Sequence, residues 1–186
     1  LDGAEIIFMP ICAATYGGHL RAHPSVAEAQ RHPAAQWIDT AGMGFDEERE
    51  GEGSYYNVGE LRLAKRAYDE LVAEGHAPAS VGVVTPYRAQ LSRLRELFPR
   101  AEVGTVNRFQ GREKDAIVAT FVRSNAEQEL GFVADPKRLN VAVTRARHRF
   151  VGIGDVATLG VAPVFQALVD TIAAAGGYRS GWEFES

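Results

Sequence analysis

Residues 116–122 read Ala-Ile-Val-Ala-Thr-Phe-Val, an apolar run broken by a single threonine. It is far shorter than the roughly 20 residues that span a membrane. It also lacks the alternation of a strand wetted on one face. Such a run fits a strand covered on both faces, as in a parallel sheet with helices above and below. Its neighbours agree. Val81–Thr85, Val103–Val106 and Phe150–Ile153 are further short apolar strands, and Trp37–Thr40 is another candidate. Between them, Leu61, Ala64, Tyr68, Leu71 and Val72 recur at helical spacing until Gly75. Leu91, Leu94 and Leu97 mark one face of a helix over 89–98, residues 135–146 read as a third helix, and Val164, Phe165, Leu168, Val169 and Ile172 as a closing one. Strands alternating with helices predict a three-layer α/β fold with a mostly parallel central sheet.

The length of 186 residues suits one domain. Gly42–Ser54, rich in glycine and acids, reads as an exposed loop. It divides an N-terminal segment, 1–56, from a core, 57–186, within the same domain. Asn57 and Glu60 have the spacing of a capping box at the start of the first helix. Cys12 is the single cysteine, which excludes an internal disulfide and fits a reducing, cytoplasmic compartment. The start at Leu1 rather than methionine reads as a piece of something longer. The net charge of -4 conceals a division. Residues 1–60 carry ten acids and three bases, residues 61–150 ten acids and sixteen bases. From Pro136 to Gly154 no acid occurs, while Lys137, Arg138, Arg145, Arg147 and Arg149 all do. Charge acts over about one Debye length, so this regional balance outweighs the total.

Ligands of such sheets sit beyond the carboxyl ends of the strands, which directs attention to three segments. Thr85-Pro86-Tyr87-Arg88-Ala89-Gln90 joins a strand to a helix, offering a hydroxyl and free N–H groups to a phosphate or simply starting the helix. In 107–115, seven of nine residues are charged or amide-bearing, around a central Gly111. In 135–147, Arg138, Asn140 and Arg145 interrupt an apolar helix. A guanidinium there needs a partner, either a phosphate or a protein carboxylate.

Together the three segments resemble motifs IV, V and VI of superfamily 1 helicases, most closely the Upf-like branch. Thr85-Pro86-Tyr87 through Gln90 looks like motif IV. Phe109-Gln110-Gly111-Arg112-Glu113-Lys114-Asp115 is similar to motif V, with Val122-Arg123-Ser124-Asn125 following. Arg138 to Arg147 looks like motif VI, and Tyr16-Gly17-Gly18-His19-Leu20 resembles the segment after motif IIIa. Asn107 departs from the aspartate more usual before motif V. No G-x-x-x-x-G-K-[ST] occurs, nor an apolar run ending in Asp-Glu. The resemblance therefore implies the second RecA-like domain of a P-loop-NTPase-type pair, lacking its own P-loop.

It implies that ATP and Mg2+ bind between two such domains, with the metal ligands in the first. Arg145 matches the arginine that reaches the γ-phosphate, and Glu113 the glutamate that binds the ribose. Gln110, Gly111 and Arg112 belong to the same nucleotide loop. Thr85, Pro86, Tyr87 and Thr105 match the side that holds single-stranded DNA or RNA, in a branch associated with 5′-to-3′ movement. Alone, the chain is then expected to be inactive. The alternative is a stand-alone nucleic-acid-binding or protein-interaction module. A dinucleotide enzyme is faintly suggested by Gly152-Ile153-Gly154, and the five scattered histidines give no zinc-ligand spacing.

Overall fold

The apolar run at 116–122 lies in the interior of a six-stranded sheet. The computed structural model describes residues 33–109 and 113–185. In chain order its elements are β1 (Ala35–Asp39), β2 (Glu48–Glu50), β3 (Ser54–Tyr56), α1 (Val58–Ala73), β4 (Val81–Thr85), α2 (Arg88–Leu97), β5 (Glu102–Thr105) and β6 (Lys114–Thr120). There follow α3 (Pro136–Thr144), β7 (Ala146–Gly154), α4 (Val156–Leu159), α5 (Pro163–Ala174) and β8 (Tyr178–Ser180). The sheet order is β5-β4-β6-β7-β1-β8, and every neighbouring pair is parallel. Among the described residues no helix is long and apolar enough to cross a membrane.

The pleat of β6 divides its side chains between two cores. Ile117 and Ala119 join Trp37, Leu139, Phe150 and Phe165 beneath α3 and α5. Ala116 and Val118 join Leu63, Leu71, Val83 and Leu94 beneath α1 and α2. That makes three layers. Trp37 is wholly buried, donating its indole N–H to the Gly154 carbonyl at 3.3 Å and stacking on Phe121 at 5.4 Å. Gly152 makes the room, because a Cβ there would fall 2.6 Å from Trp37 Cε3. Gly152 and Gly154 are therefore strand residues under an indole. A dinucleotide site needs its glycines in the turn after a strand.

Three sequence expectations shift. On α2 the third apolar position is Phe98, 2% exposed, whereas Leu97 is 40% exposed. At about 100° per residue, Phe98 lies about 20° from Leu91 around the helix axis and Leu97 about 120°. The helix expected over 135–146 ends at Thr144, and Ala146 already pairs with Lys114. The acidic stretch 42–54 is also not all loop: β2 and β3 form an antiparallel hairpin. It is tied to α2 by Arg93, whose Nη1 lies 2.8 Å from Glu50 and whose guanidinium covers the Tyr56 ring at 3.6 Å.

Only half of the expected capping box at α1 forms. The Asn57 side chain accepts the Glu60 N–H at 3.0 Å. The Asn57 N–H goes instead to Gln90 Oε1 at 3.0 Å, which frees the Glu60 carboxyl for another partner. Both its oxygens lie 2.9 Å from the Val122 N–H. Val122 follows β6 with φ +74°, a left-handed conformation rare for a β-branched residue. Asn57 Nδ2 braces the same residue by donating to the Val122 carbonyl at 3.4 Å. The first turn of α1 thus holds the strained Val122 turn from both sides.

Glu60 is fully buried, and that burial pushes its carboxyl up to about 8 against the pull of the Val122 and Phe121 backbone hydrogen bonds. Below that pH the folded chain binds a proton that the unfolded chain has released, so stability falls as pH rises from the ordinary carboxylate range through about 8. The slope is at most about 1.4 kcal/mol per pH unit. Glu60→Gln keeps an acceptor for the Val122 N–H and removes the titration. Urea unfolding at pH 6 and pH 9 should show the glutamine variant gaining on the native chain at the higher pH. Parallel pH profiles would contradict this account.

Candidate functional site

Because all six strands run one way, the sheet has a carboxyl edge and an amino edge. Thr85 and Thr105, paired in register, end β4 and β5 at the carboxyl edge. Glu113 and Arg145 immediately precede β6 and β7 at the amino edge, where Lys114 pairs with Ala146. Strand β6 separates the edges by roughly 20 Å. The candidate residues therefore form two groups rather than one. Gln110, Gly111 and Arg112, like Tyr16–Leu20, lie outside the described residues.

At the carboxyl edge, Thr85 is 1% exposed and its hydroxyl has no hydrogen-bond partner among the described residues. Pro86 and Thr105 are half-buried. Tyr87, 2% exposed, starts α2 without a side-chain cap. Its ring meets Tyr55 edge-on at 5.3 Å and Phe132 at 4.6 Å, and burial raises its phenol above the ordinary value. Arg123 donates to the Tyr87 hydroxyl at 3.5 Å, covers the Tyr55 ring at 4.6 Å and pairs with Glu47 at 2.7 Å. The same Glu47 oxygen accepts the Ser124 N–H at 2.9 Å and Asn125 Nδ2 at 3.1 Å. One acid of the acidic stretch thus clamps the residues that follow β6. Sequence reasoning noted Arg123–Asn125 but could not supply Glu47, 76 positions away. It missed Phe132 altogether, although an aromatic just ahead of the Asp135 cap was a signal.

At the amino edge, the Lys114 N–H donates to the Arg145 carbonyl at 2.9 Å, and Arg147 pairs with the exposed Glu113 at 3.1 Å. Arg138 lies 3.7 Å from Asp135. Arg149, 3% exposed, pairs with Glu74 at 3.2 Å and reaches Gln36 and the Pro33 carbonyl. Arg145 differs from all three. It caps α3, half-buried, and Nη2 donates only to its neighbour Thr144 Oγ1 at 3.2 Å. Its Nε is buried without a partner, and no carboxylate pairs with it among the described residues. Among the described residues a planar, permanently charged donor group is therefore held without a paired carboxylate, on a segment whose backbone is bonded to that following Glu113. The carboxyl end of α3 favours a cation at that position.

Residues 5–157 match the family described as an AAA domain. The chain is 38% identical over 188 residues to DNA-binding protein SMUBP-2 of Rattus norvegicus, covering 92% of this chain and 19% of that protein. It is 40% identical over 132 residues to DNA polymerase alpha-associated DNA helicase A of Saccharomyces cerevisiae, covering 66% of this chain and 19% of that one. The chain thus spans about a fifth of the length of these relatives. In fold it is similar to the C-terminal domain of a possible DNA helicase from Lactobacillus plantarum WCFS1, with a TM-score of 0.57, 12% identity, and coverage of 97% of this chain and 98% of that one. With motifs IV, V and VI in order on a parallel sheet, the chain belongs to the AAA domain family, as a C-terminal helicase domain of the superfamily 1, Upf-like type.

Proposed function

We propose that this chain is the second RecA-like domain of an ATP-dependent helicase or translocase, with Arg145 as its arginine finger. The observation that carries the reading is the half-buried Arg145 guanidinium, which pairs with no carboxylate among the described residues. ATP lies against the amino edge, between this domain and a first RecA-like domain of the same protein. Glu113 takes the ribose hydroxyls, and Gln110, Gly111 and Arg112 are assigned by the family resemblance to the same nucleotide loop. Arg145 donates to the γ-phosphate as charge builds on its oxygens, a role typically worth about 10³–10⁵ in rate. Mg2+ is assigned to the first domain, where the resemblance to superfamily 1 helicases puts the metal ligands. The carboxyl edge faces single-stranded DNA or RNA. Thr85 and Tyr87 are too buried to touch a strand through their side chains. They serve through the backbone of 85–87 and the groups that Tyr87 supports. Backbone contacts of this kind position a strand without reading its sequence.

In the full-length protein, Arg145→Ala should lower ATP turnover about a thousandfold or more while single-strand affinity changes little. Arg145→Lys should not restore it, since a lysine lacks the planar fork. Steady-state hydrolysis with and without a saturating oligonucleotide reads both variants, and near-normal turnover would overturn the assignment. The 186-residue chain alone should hydrolyse no ATP, because the phosphate-binding half of the site lies elsewhere.

A further inference from the structure

Phe132 is 41% exposed. Its position is nonetheless fixed. The preceding Gly131 has φ +57°, and a Cβ there would lie 3.0 Å from Arg123 Nη1. The ring rests on Tyr87 at 4.6 Å, and the Arg138 guanidinium stands 5.0 Å from its centroid. An aromatic left partly in water forgoes hydrophobic burial, so a partner that covers it is rewarded. A single ring on a rigid support, flanked by cations, is not the apolar groove that a peptide helix requires. It is the arrangement that stacks a base, and sequence tolerance follows because every base has a π face.

The charge around the ring favours the same occupant. Lys137 and Arg138 open the acid-free stretch that runs to Gly154. The nearby acid, Asp135, is engaged in capping α3, accepting the Lys137 N–H at 3.0 Å. Its pairing with Arg138 is long at 3.7 Å and half-exposed, and such pairs hold little energy. Arg138 is thus able to turn toward a phosphate. The ring is also continuous with Thr85-Pro86-Tyr87 through its contact with Tyr87.

We infer that Phe132 is a stacking platform for one base of a bound single strand, with Lys137 and Arg138 taking the adjoining phosphates. The inference rests on the reading of the carboxyl edge given above and adds a contact to it. In the full-length protein, fluorescence anisotropy with a labelled deoxythymidine oligonucleotide should show Phe132→Ala weakening affinity about 5- to 150-fold, the range for one stacked base. Phe132→Trp should retain affinity. The salt slope should be unchanged by Phe132→Ala and should fall by about 1 for Arg138→Ala. On a strand carrying a run of abasic sites, the native protein and Phe132→Ala should bind alike. Single-strand binding that Phe132→Ala leaves intact would overturn this proposal alone, as would an equal loss on abasic and normal strands. A native full-length protein that binds no single strand would overturn the functional reading and this proposal with it.

Discussion

Parallel strands cannot be joined by a tight turn; the chain must return across a face of the sheet before the next strand begins. In this domain that constraint decides where the chemistry lies. A segment that follows a strand is held at the carboxyl edge, and one that precedes a strand is held at the amino edge. Thr85 ends β4 and Pro86 and Tyr87 follow it, whereas Glu113 and Arg145 precede β6 and β7. The two groups face opposite ways because the sheet is parallel throughout. Helix α3 is the return path between them. Its nine residues cover roughly 14 Å, with Phe132 and Arg138 near its start and Arg145 as its cap. A displacement at one end of so short and rigid an element must appear at the other. On the proposed function, α3 would be the physical connection between strand binding and nucleotide chemistry.

The carboxyl edge is held by polar groups that are costly unless each is satisfied. The Val122 conformation alone costs about 1–3 kcal/mol. It persists because Glu60 and Asn57 grip its N–H and carbonyl, while Gln90 takes the Asn57 N–H. The next residue, Arg123, is then aimed at Glu47 and Tyr87. Removing any one of these partners strands a buried group rather than merely losing a bond, at a cost of about 1–3 kcal/mol. The acidic hairpin is best understood as the outer wall of this arrangement. Its Glu47 neutralises a guanidinium whose side chain is only 5% exposed, and such a charge cannot be left unpaired.

How much of this the sequence disclosed follows from the range of each interaction. The run at 116–122, the helical spacing of Leu61 to Leu71 and the order of the three motifs are local patterns, and local patterns were legible. The capping box was read from a true spacing, yet Glu60 turned to Val122, 62 positions away, because Gln90 had already taken the Asn57 N–H. The hairpin was read as a loop because its stability lies in Arg93 and Arg123, which are remote in sequence. The rule that ligands gather at carboxyl ends led to segments that the fold divides between two edges, since Glu113 and Arg145 precede their strands rather than follow them. On the proposed function, the amino-edge group would belong to a cleft shared with a second domain.

Arg145 shows what a shared site would ask of a lone domain. Arg138, Arg147 and Arg149 each have a carboxylate in reach, so the fold does not lack acids for its bases. Among the described residues none pairs with Arg145, which forgoes the small stabilisation that a nearby glutamate would give. Glu113 is close enough in the chain's geometry to have served, since Lys114 is bonded to the Arg145 carbonyl. It is turned to Arg147 instead. A guanidinium neutralised within its own domain would have to break that pair before it met a phosphate, and the energy so spent would be lost from transition-state binding. Held at a helix carboxyl end, where the backbone dipole tolerates positive charge, Arg145 needs no carboxylate among the described residues. If Arg145 is the arginine finger proposed above, that unmet charge is what the role requires of the domain that carries it.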